Sequence, residues 1–349
     1  MFELLVVACL SGQAVCAERL VPMAAPDLGN CQAAAGEASR TWAEERDLVA
    51  RDVSCVATSD LPRRLEPLGV VEVAEGVYVH QGKHAIPNAR NAGDLANLGF
   101  VIGGDAVAVI DAGGSRAVAE RLYAAILTKT DLPVRYLILT HMHPDHALGA
   151  ELFRELGAEI IGHPNLEQAL ANRASSYMAG FLDLLGGEAF LGTQLIGPDR
   201  SISDGTLDLG GRVLEVRSHP LAHTESDLTV LDRQTRIWFV GDLVFAGHTP
   251  ALDGSLTGWQ KALAEMAEED VHQIVPGHGP AAMDWPAGAD ATRLYLEVLA
   301  DETRAAIAVG EPMTQATHHI GESQRENWLL FDEFNRRNAT AAYKELEWE

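Results

Sequence analysis

Three imidazoles and a carboxylate crowd into Thr140-His141-Met142-His143-Pro144-Asp145-His146, directly after an apolar run. Histidine nitrogen and carboxylate oxygen are the donors that borderline-soft zinc prefers, at about 2.0 to 2.2 Å. In an extended turn His141 and His143 share a face, because side chains two apart point the same way. Asp145 and His146 then fall where the chain bends into a helix, where they can face a second ion. A single histidine in such a place is more often a packed core residue. Four ligand-type side chains at H-x-H-x-D-H spacing point to a metal centre instead.

Three further donors follow later strands. His223 lies in Leu221-Ala222-His223-Thr224-Glu225-Ser226-Asp227, Asp242 follows Phe239-Val240-Gly241, and His278 lies in Pro276-Gly277-His278-Gly279-Pro280. Each sits near small residues that let a backbone approach closely. Alone each is weak, and their order behind the His141 cluster is what gives them weight. His163, in Ile161-Gly162-His163-Pro164, could support a ligand from behind or serve structure only. His248, shortly after Asp242, could line a substrate cleft, and His219 is an alternative ligand near His223. His80, His84, His272, His318 and His319 read as surface or packing residues. Trp259 and Trp285 read as core, with a pocket wall as the alternative.

The elements that position these residues follow from the apolar pattern. From Leu68 come short strands at Gly69–Val73, Val77–Val79, Ala96–Ile102 and Ala106–Asp111, the last two separated by the turn Gly103-Gly104-Asp105. A helix to about Lys129, a strand at Val134–Thr140, a helix at Ala147–Leu156 and a strand at Ala158–Gly162 follow. The second half repeats this grammar: strands at Arg212–Ser218, Leu228–Asp232 and Arg236–Gly241, a helix at Leu256–Glu268 and a strand at Gln273–Pro276. Hairpins first and alternating helices and strands afterwards, twice over, predict an α/β (α+β) protein of four layers, an αββα sandwich. Asn172 to Leu195 is expected to be a loop that shapes specificity.

The ends carry less chemistry. The four cysteines, Cys9, Cys16, Cys31 and Cys55, all lie in the first 55 residues. Even number and clustering suggest two disulfides with three possible connectivities, and hence an oxidising compartment. Free buried thiols in a cytoplasmic protein are the alternative. Leu4 to Leu10 reads equally as a first strand or as the apolar core of a signal sequence, since Glu3 replaces the usual basic residues. A helix at Asn30–Asp47 and a strand at Val49–Ala57 complete a small Cys-containing module, residues 1–62, that Ser59–Pro62 would link to a domain spanning 63–305. Residues 306–349 form a helical extension. The net charge of -24 disfavours nucleic acid and anionic membrane surfaces as partners. No stretch reaches the roughly 18 apolar residues of a stable membrane span.

The stretches THMHPDH, AHTESD, GDLVF and PGHG together resemble the successive metal motifs of the metallo-β-lactamase superfamily, over about Leu68 to Trp285. The resemblance implies His141, His143 and His223 on one zinc, Asp145, His146 and His278 on the other, and Asp242 bridging. It also implies that Asp111, in the DAGG turn, is a structural aspartate beside the site. The Cys-bearing start, the segment GHTPALDGSLTGW and the tail WLLFDEFNRRNATAAYKELEWE look like the SoxH-like quinoprotein relay system zinc metallohydrolases. That likeness implies a periplasmic setting and a quinoprotein partner. One familiar β-lactamase group carries a cysteine ligand where this chain has Asp242, so antibiotic hydrolysis is not expected.

Zinc lowers the pKa of bound water to about 7. A hydroxide bridging two zinc ions, with Asp145 orienting it and taking its proton, would attack a small ester, thioester, lactone or amide. Two rival readings share the ligand set. One is an iron-dependent oxidoreductase resembling persulfide dioxygenases. The other is a non-catalytic factor that binds a quinone cofactor or assists its maturation.

Overall fold

The computed structural model describes residues 1–349. The chain opens with β1 (Phe2–Leu10), β2 (Cys16–Ala25), α1 (Leu28–Glu44), β3 (Leu48–Ala57) and the short α2 (Leu61–Arg64). β1 is the middle strand of an antiparallel sheet ordered β2-β1-β3. Being covered on both faces, it buries Leu4, Leu5, Val6 and Ala8 alike, which is why its sequence is an unbroken apolar run. α1 starts at Asp27, whose Oδ1 accepts from the Asn30 amide at 2.9 Å, an ordinary N-cap. One disulfide, Cys9–Cys16, closes the first hairpin, and the second, Cys31–Cys55, ties α1 to β3. One face of this sheet packs on α1 through Leu4, Val6 and Trp42. The other contributes Leu5, Leu20 and Val56 to the core of the larger body. Ser59–Pro62, expected as a linker, is a turn running into α2, with Leu61 fully buried.

The first large sheet is built from β4 (Val70–Ala74), β5 (Val77–His80), β6 (Leu98–Ile102), β7 (Val107–Ile110), β8 (Val134–Ile138), β9 (Glu159–Gly162) and β10 (Arg200–Ser201). α3 (Arg116–Leu127) joins β7 to β8. α4 (Pro144–Ala147) and α5 (Ala150–Glu155) join β8 to β9, and α6 (Leu166–Phe190) leads to β10. The strands lie in the order β10-β9-β8-β7-β6-β5-β4, antiparallel from β4 to β7 and parallel beyond. Parallel strands need crossovers, and the helices supply them.

The second sheet runs in sequence order: β11 (Asp204–Asp208), β12 (Val213–Ser218), β13 (Leu228–Asp232), β14 (Ile237–Phe245), then α7 (Leu256–Met266), β15 (Gln273–His278) and β16 (Met283–Asp284). α8 (Asp290–Ala308), α9 (Met313–Ala316) and α10 (Phe331–Leu346) close the chain.

Three apolar layers hold the sandwich. Val79, Ile110 and Ile138 of the first sheet meet Val216, Phe239 and Val275 of the second between the sheets. Val118, Leu122 and Phe153 cover the outer face of the first, while Trp259, Tyr295, Leu299 and Tyr343 cover that of the second. The αββα architecture expected from the pattern is the one observed. No helix is long and apolar enough to cross a membrane.

The strands β2, β10, β11 and β16 are not among those expected from the pattern, and two further elements differ from expectation. β14 continues past Gly241 to Phe245, through a bulge at Gly241, whose φ is 51°. Asn172–Leu195 is not a loop: all of it up to Phe190 lies within α6, which bends at Gly186 (φ 75°).

Candidate metal centre

Strand ends at one rim of the sandwich deliver the donors. β8 stops at Ile138, so Thr140 to His143 cross the rim outside regular structure, bending at His141 and Met142, before Pro144 starts α4, where its missing N–H costs nothing. His278 ends β15, Asp242 sits at the β14 bulge, and His223 lies in the turn between β12 and β13. A Cβ on Gly277 would run into Asp242 Oδ1, so only glycine lets β15 pass the carboxylate.

The seven residues converge. Donor atoms of His141, His143, His223 and Asp242 lie within 4.8 Å of one another, and those of Asp145, His146 and His278 form a second such group. Asp242 stands between the two. Its Oδ2 lies 3.6 Å from His141 Nε2 and 3.5 Å from His223 Nε2 on one side, and 3.5 Å from His278 Nε2 on the other. Its Oδ1 lies 3.2 Å from His146 Nε2. His219, the alternative ligand, is turned away and pairs with Thr229 Oγ1 at 3.0 Å.

The donor set fits a pair of metal ions. His141 Nε2, His146 Nε2 and Asp242 Oδ1 are buried and have no hydrogen-bond partner. Buried polar atoms are otherwise almost always satisfied, so their shared direction marks where cations belong. Burial, reinforced by neighbouring imidazoles, holds His141 well below the usual histidine range and His223 down at about 3. Burial also opposes charge on His278, yet Asp242 and Asp145 raise it to about 9, and carboxylates likewise lift His146. The same imidazoles overcome burial to keep Asp145 and Asp242 below the usual carboxylate range, hence ionised and able to ligate.

Neighbouring side chains set the rings. Asp111, at a left-handed φ of 62°, accepts from the Thr140 amide and hydroxyl at 2.8 Å each, and pairs with His146 Nδ1 at 2.7 Å. His143 turns Nδ1 toward the site, 3.1 Å from His223 Nε2, and its Nε2 meets Asp253 at 3.3 Å. Arg173 of α6 donates to both oxygens of Asp253, at 2.9 and 2.8 Å. Trp259 is fully buried behind His223, ring centres 5.0 Å apart, and is core; Trp285 packs on Trp238.

A cavity of about 600 Å³ opens over the metal residues His143, Asp145, Asp242 and His278. His248 lines it, stacked on His278 at 4.8 Å and edge-on to Phe334 of α10 at the same distance. His163 does not support a ligand: it lies in a separate shallow pocket with His219, its Nδ1 accepting from the Asn165 amide at 3.0 Å. Residues that sequence reasoning passed over also face the cavity, among them Tyr177 and Arg173 of α6, Phe334 and Arg337 of α10, and Asp253. Asp253 lies inside the GHTPALDGSLTGW segment, where a lone acid beside Gly254 gave no sign of reaching His143. The Tyr177 hydroxyl is buried without a hydrogen-bond partner.

Comparison with known proteins agrees with this geometry. The family model described as the metallo-beta-lactamase superfamily matches residues 92–278. Acyl-coenzyme A thioesterase MBLAC2 of Homo sapiens is 27% identical over 214 residues, covering 54% of this chain and 74% of the relative. Its Gallus gallus counterpart is 27% identical over 219 residues, with 54% and 73% covered. Among solved structures, a metallo-beta-lactamase from Pontibacter korlensis superposes with a TM-score of 0.54 at 23% identity, over 66% of this chain and 99% of that one. The VMB-1 crystal structure gives 0.52 at 20%, over 66% and 97%. At these identities the structural likeness speaks for the fold alone.

Proposed function

The chain belongs to the metallo-β-lactamase superfamily, and on that footing we propose that it is a hydrolase that holds two zinc ions and cleaves a thioester. The observation that carries this reading is the convergence of seven N and O donors in two groups with Asp242 between them. An all-His/Asp set without sulfur suits zinc in a hydrolytic rather than a structural role. When bound, such a metal pair supplies Lewis acidity and a water acidic enough to ionise near neutral pH.

The protein's own groups do the rest. His141, His143, His223 and Asp242 would hold one ion, and Asp145, His146 and His278 the other, with Asp242 reaching both. Asp145, ionised and facing the cavity, orients the attacking water and takes its proton on a carboxylate oxygen. The unpartnered Tyr177 hydroxyl donates to the acyl oxygen as negative charge develops there. Burial pushes this phenol above its usual range, so it remains a donor throughout the working pH. Ile86, Phe181 and Leu184 give the cavity an apolar side for an acyl chain. Water and thioester then yield a carboxylic acid and a thiol. A thioester is favoured over an ester, lactone or amide by the MBLAC2 relatives, which are named acyl-coenzyme A thioesterases.

The two disulfides support placement in an oxidising, extracytoplasmic compartment. The SoxH-like affiliation and a quinoprotein partner rest on the resemblance of the chain ends. Metal analysis with a panel of thioesters, esters, lactones and amides tests the central reading. Two zinc per chain and thioester turnover that vanishes in His141→Ala are expected. One iron with oxygen uptake would replace it by the persulfide dioxygenase reading, and a metal-loaded protein inert on the whole panel would leave a binding factor.

A further inference from the structure

The wall of the cavity opposite the metal residues comes from α10, outside the residues 92–278 that the family model covers. It is fastened there by a dense set of contacts. Leu329, just before α10, exchanges backbone hydrogen bonds with the metal-side loop: its amide donates to Gly247 O at 2.7 Å and its carbonyl accepts from Thr249 N at 3.0 Å. Asn338 accepts from the Leu252 amide at 2.9 Å and donates to Pro250 O at 2.6 Å, both in the segment that carries Asp253. Glu345 accepts from the amides of Leu256 and Thr257 at the start of α7. Phe334 stands edge-on to His248, which stacks on the ligand His278. A helix held this firmly presents a fixed face to whatever occupies the cavity.

That face carries Arg337. Two guanidinium groups line the cavity, and the other, Arg173, is already held on both oxygens of Asp253. Nearby arginines are also engaged: Arg325 pairs with Glu322 and Asp332, and Arg336 with His318. Arg337 reaches the cavity with no carboxylate inside 4 Å and no hydrogen bond to the protein. The surrounding chain carries a net charge of -24 and lines the same cavity with Asp145, Asp242, Asp253 and Glu333. Away from the metal ions that Asp145 and Asp242 would hold, the lining carboxylates Asp253 and Glu333 disfavour an anionic group, and Arg337 is the one uncommitted cation side chain on the lining.

We propose that Arg337 of α10 is an anion subsite, which selects thioesters carrying a phosphate or carboxylate on the thiol portion. This rests on the thioesterase reading for the reaction, but not for the binding. A planar guanidinium suits either oxyanion through paired N–H donors, so the two sources share one chemistry.

Hexanoyl thioesters of 4′-phosphopantetheine, of 3-mercaptopropionate and of neutral pantetheine separate the possibilities. They are assayed with the zinc-loaded wild type, Arg337→Ala, Arg337→Lys and, as a control outside the cavity, Arg336→Ala. A single charged hydrogen-bonding contact corresponds to about tenfold to a hundredfold in kcat/KM. The ratio of anionic to neutral kcat/KM should fall by about that much in Arg337→Ala, partly recover in Arg337→Lys and stay at the wild-type value in Arg336→Ala. The larger of the two anionic effects identifies phosphate or carboxylate as the preferred group. Calorimetric binding of the matching non-hydrolysable thioethers is measured in parallel. Charge-dependent binding lost in Arg337→Ala, without turnover of any thioester, would keep the subsite and remove the thioesterase. A wild-type charge preference that survives Arg337→Ala, or no charge preference in binding or turnover, overturns the subsite.

Discussion

Asp111 Oδ2 and His146 Nδ1 lie 2.7 Å apart, so the carboxylate fixes which nitrogen of His146 is left to face Asp242 and the second donor group. Carboxylates behind ligating imidazoles typically contribute about 10- to 100-fold in metal affinity. Asp111→Asn should therefore weaken zinc by that order in a competitive chelator titration. The fold should survive, since asparagine tolerates the left-handed φ of 62° at this position. Unchanged affinity would mean that Asp111 serves only the Thr140 turn.

Tyr177→Phe removes one oxygen and nothing else. If that hydroxyl meets the acyl oxygen, kcat on a thioester should fall about a hundredfold while KM and bound zinc hold. A variant as fast as the parent, with both metals in place, would return Tyr177 to the role of cavity wall.

Arg116 is 1% exposed and binds Glu120, Glu151 and Glu155 as well as the Leu20 carbonyl, at the seam where the N-terminal sheet meets α3 and α5. Removing one partner from a buried ionic cluster leaves charges without compensation. Arg116→Ala should cost about 3 to 5 kcal/mol of unfolding free energy in urea titration. A loss under about 1 kcal/mol, the size of a surface pair, would show that water reaches the cluster.

Burial opposes charge on Asp232, but hydrogen bonds from Arg212 and Thr235 outweigh it and hold the carboxyl below its usual range. Its stabilising effect is complete above the unfolded-state value of about 3.9 and is lost as pH falls through the lower folded value. Wild type should thus lose more stability than Asp232→Asn on acidification below about pH 4. Parallel acid limbs in the two unfolding series would contradict this.

The metal residues were legible because the fold places them at strand ends, where sequence order and local motifs mark them. Asp253, Tyr177 and Arg337 had no such mark. They are single residues whose relevance depends on α6 and α10 crossing the rim, a matter of packing between distant segments. α6 itself was hidden by Gly180, Gly186, Gly187 and paired serines, which depress helix propensity; buried Leu166, Leu170, Phe181 and Leu185 provide the packing that overrides it. At β14 the Gly241 bulge read as an end because a bulge and a turn use the same residue type. Leu4–Leu10 fitted a strand or a signal equally, and only pairing on both sides distinguishes them. Four cysteines likewise allow three pairings until the sheet fixes which come together.

Arg19, in β2, reaches across to the far end of α6 and donates to the carbonyls of Leu191, Glu188 and Ala189 at 2.7, 2.6 and 3.3 Å. The bent end of the helix that brings Tyr177 and Arg173 over the reaction centre is thereby moored to the small disulfide-bonded sheet. None of the candidate metal ligands lies in that sheet or in α6, so damage to the sheet would reach the roof of the cavity first, and a molecule so damaged is expected to lose discrimination between substrates before it loses its grip on a metal.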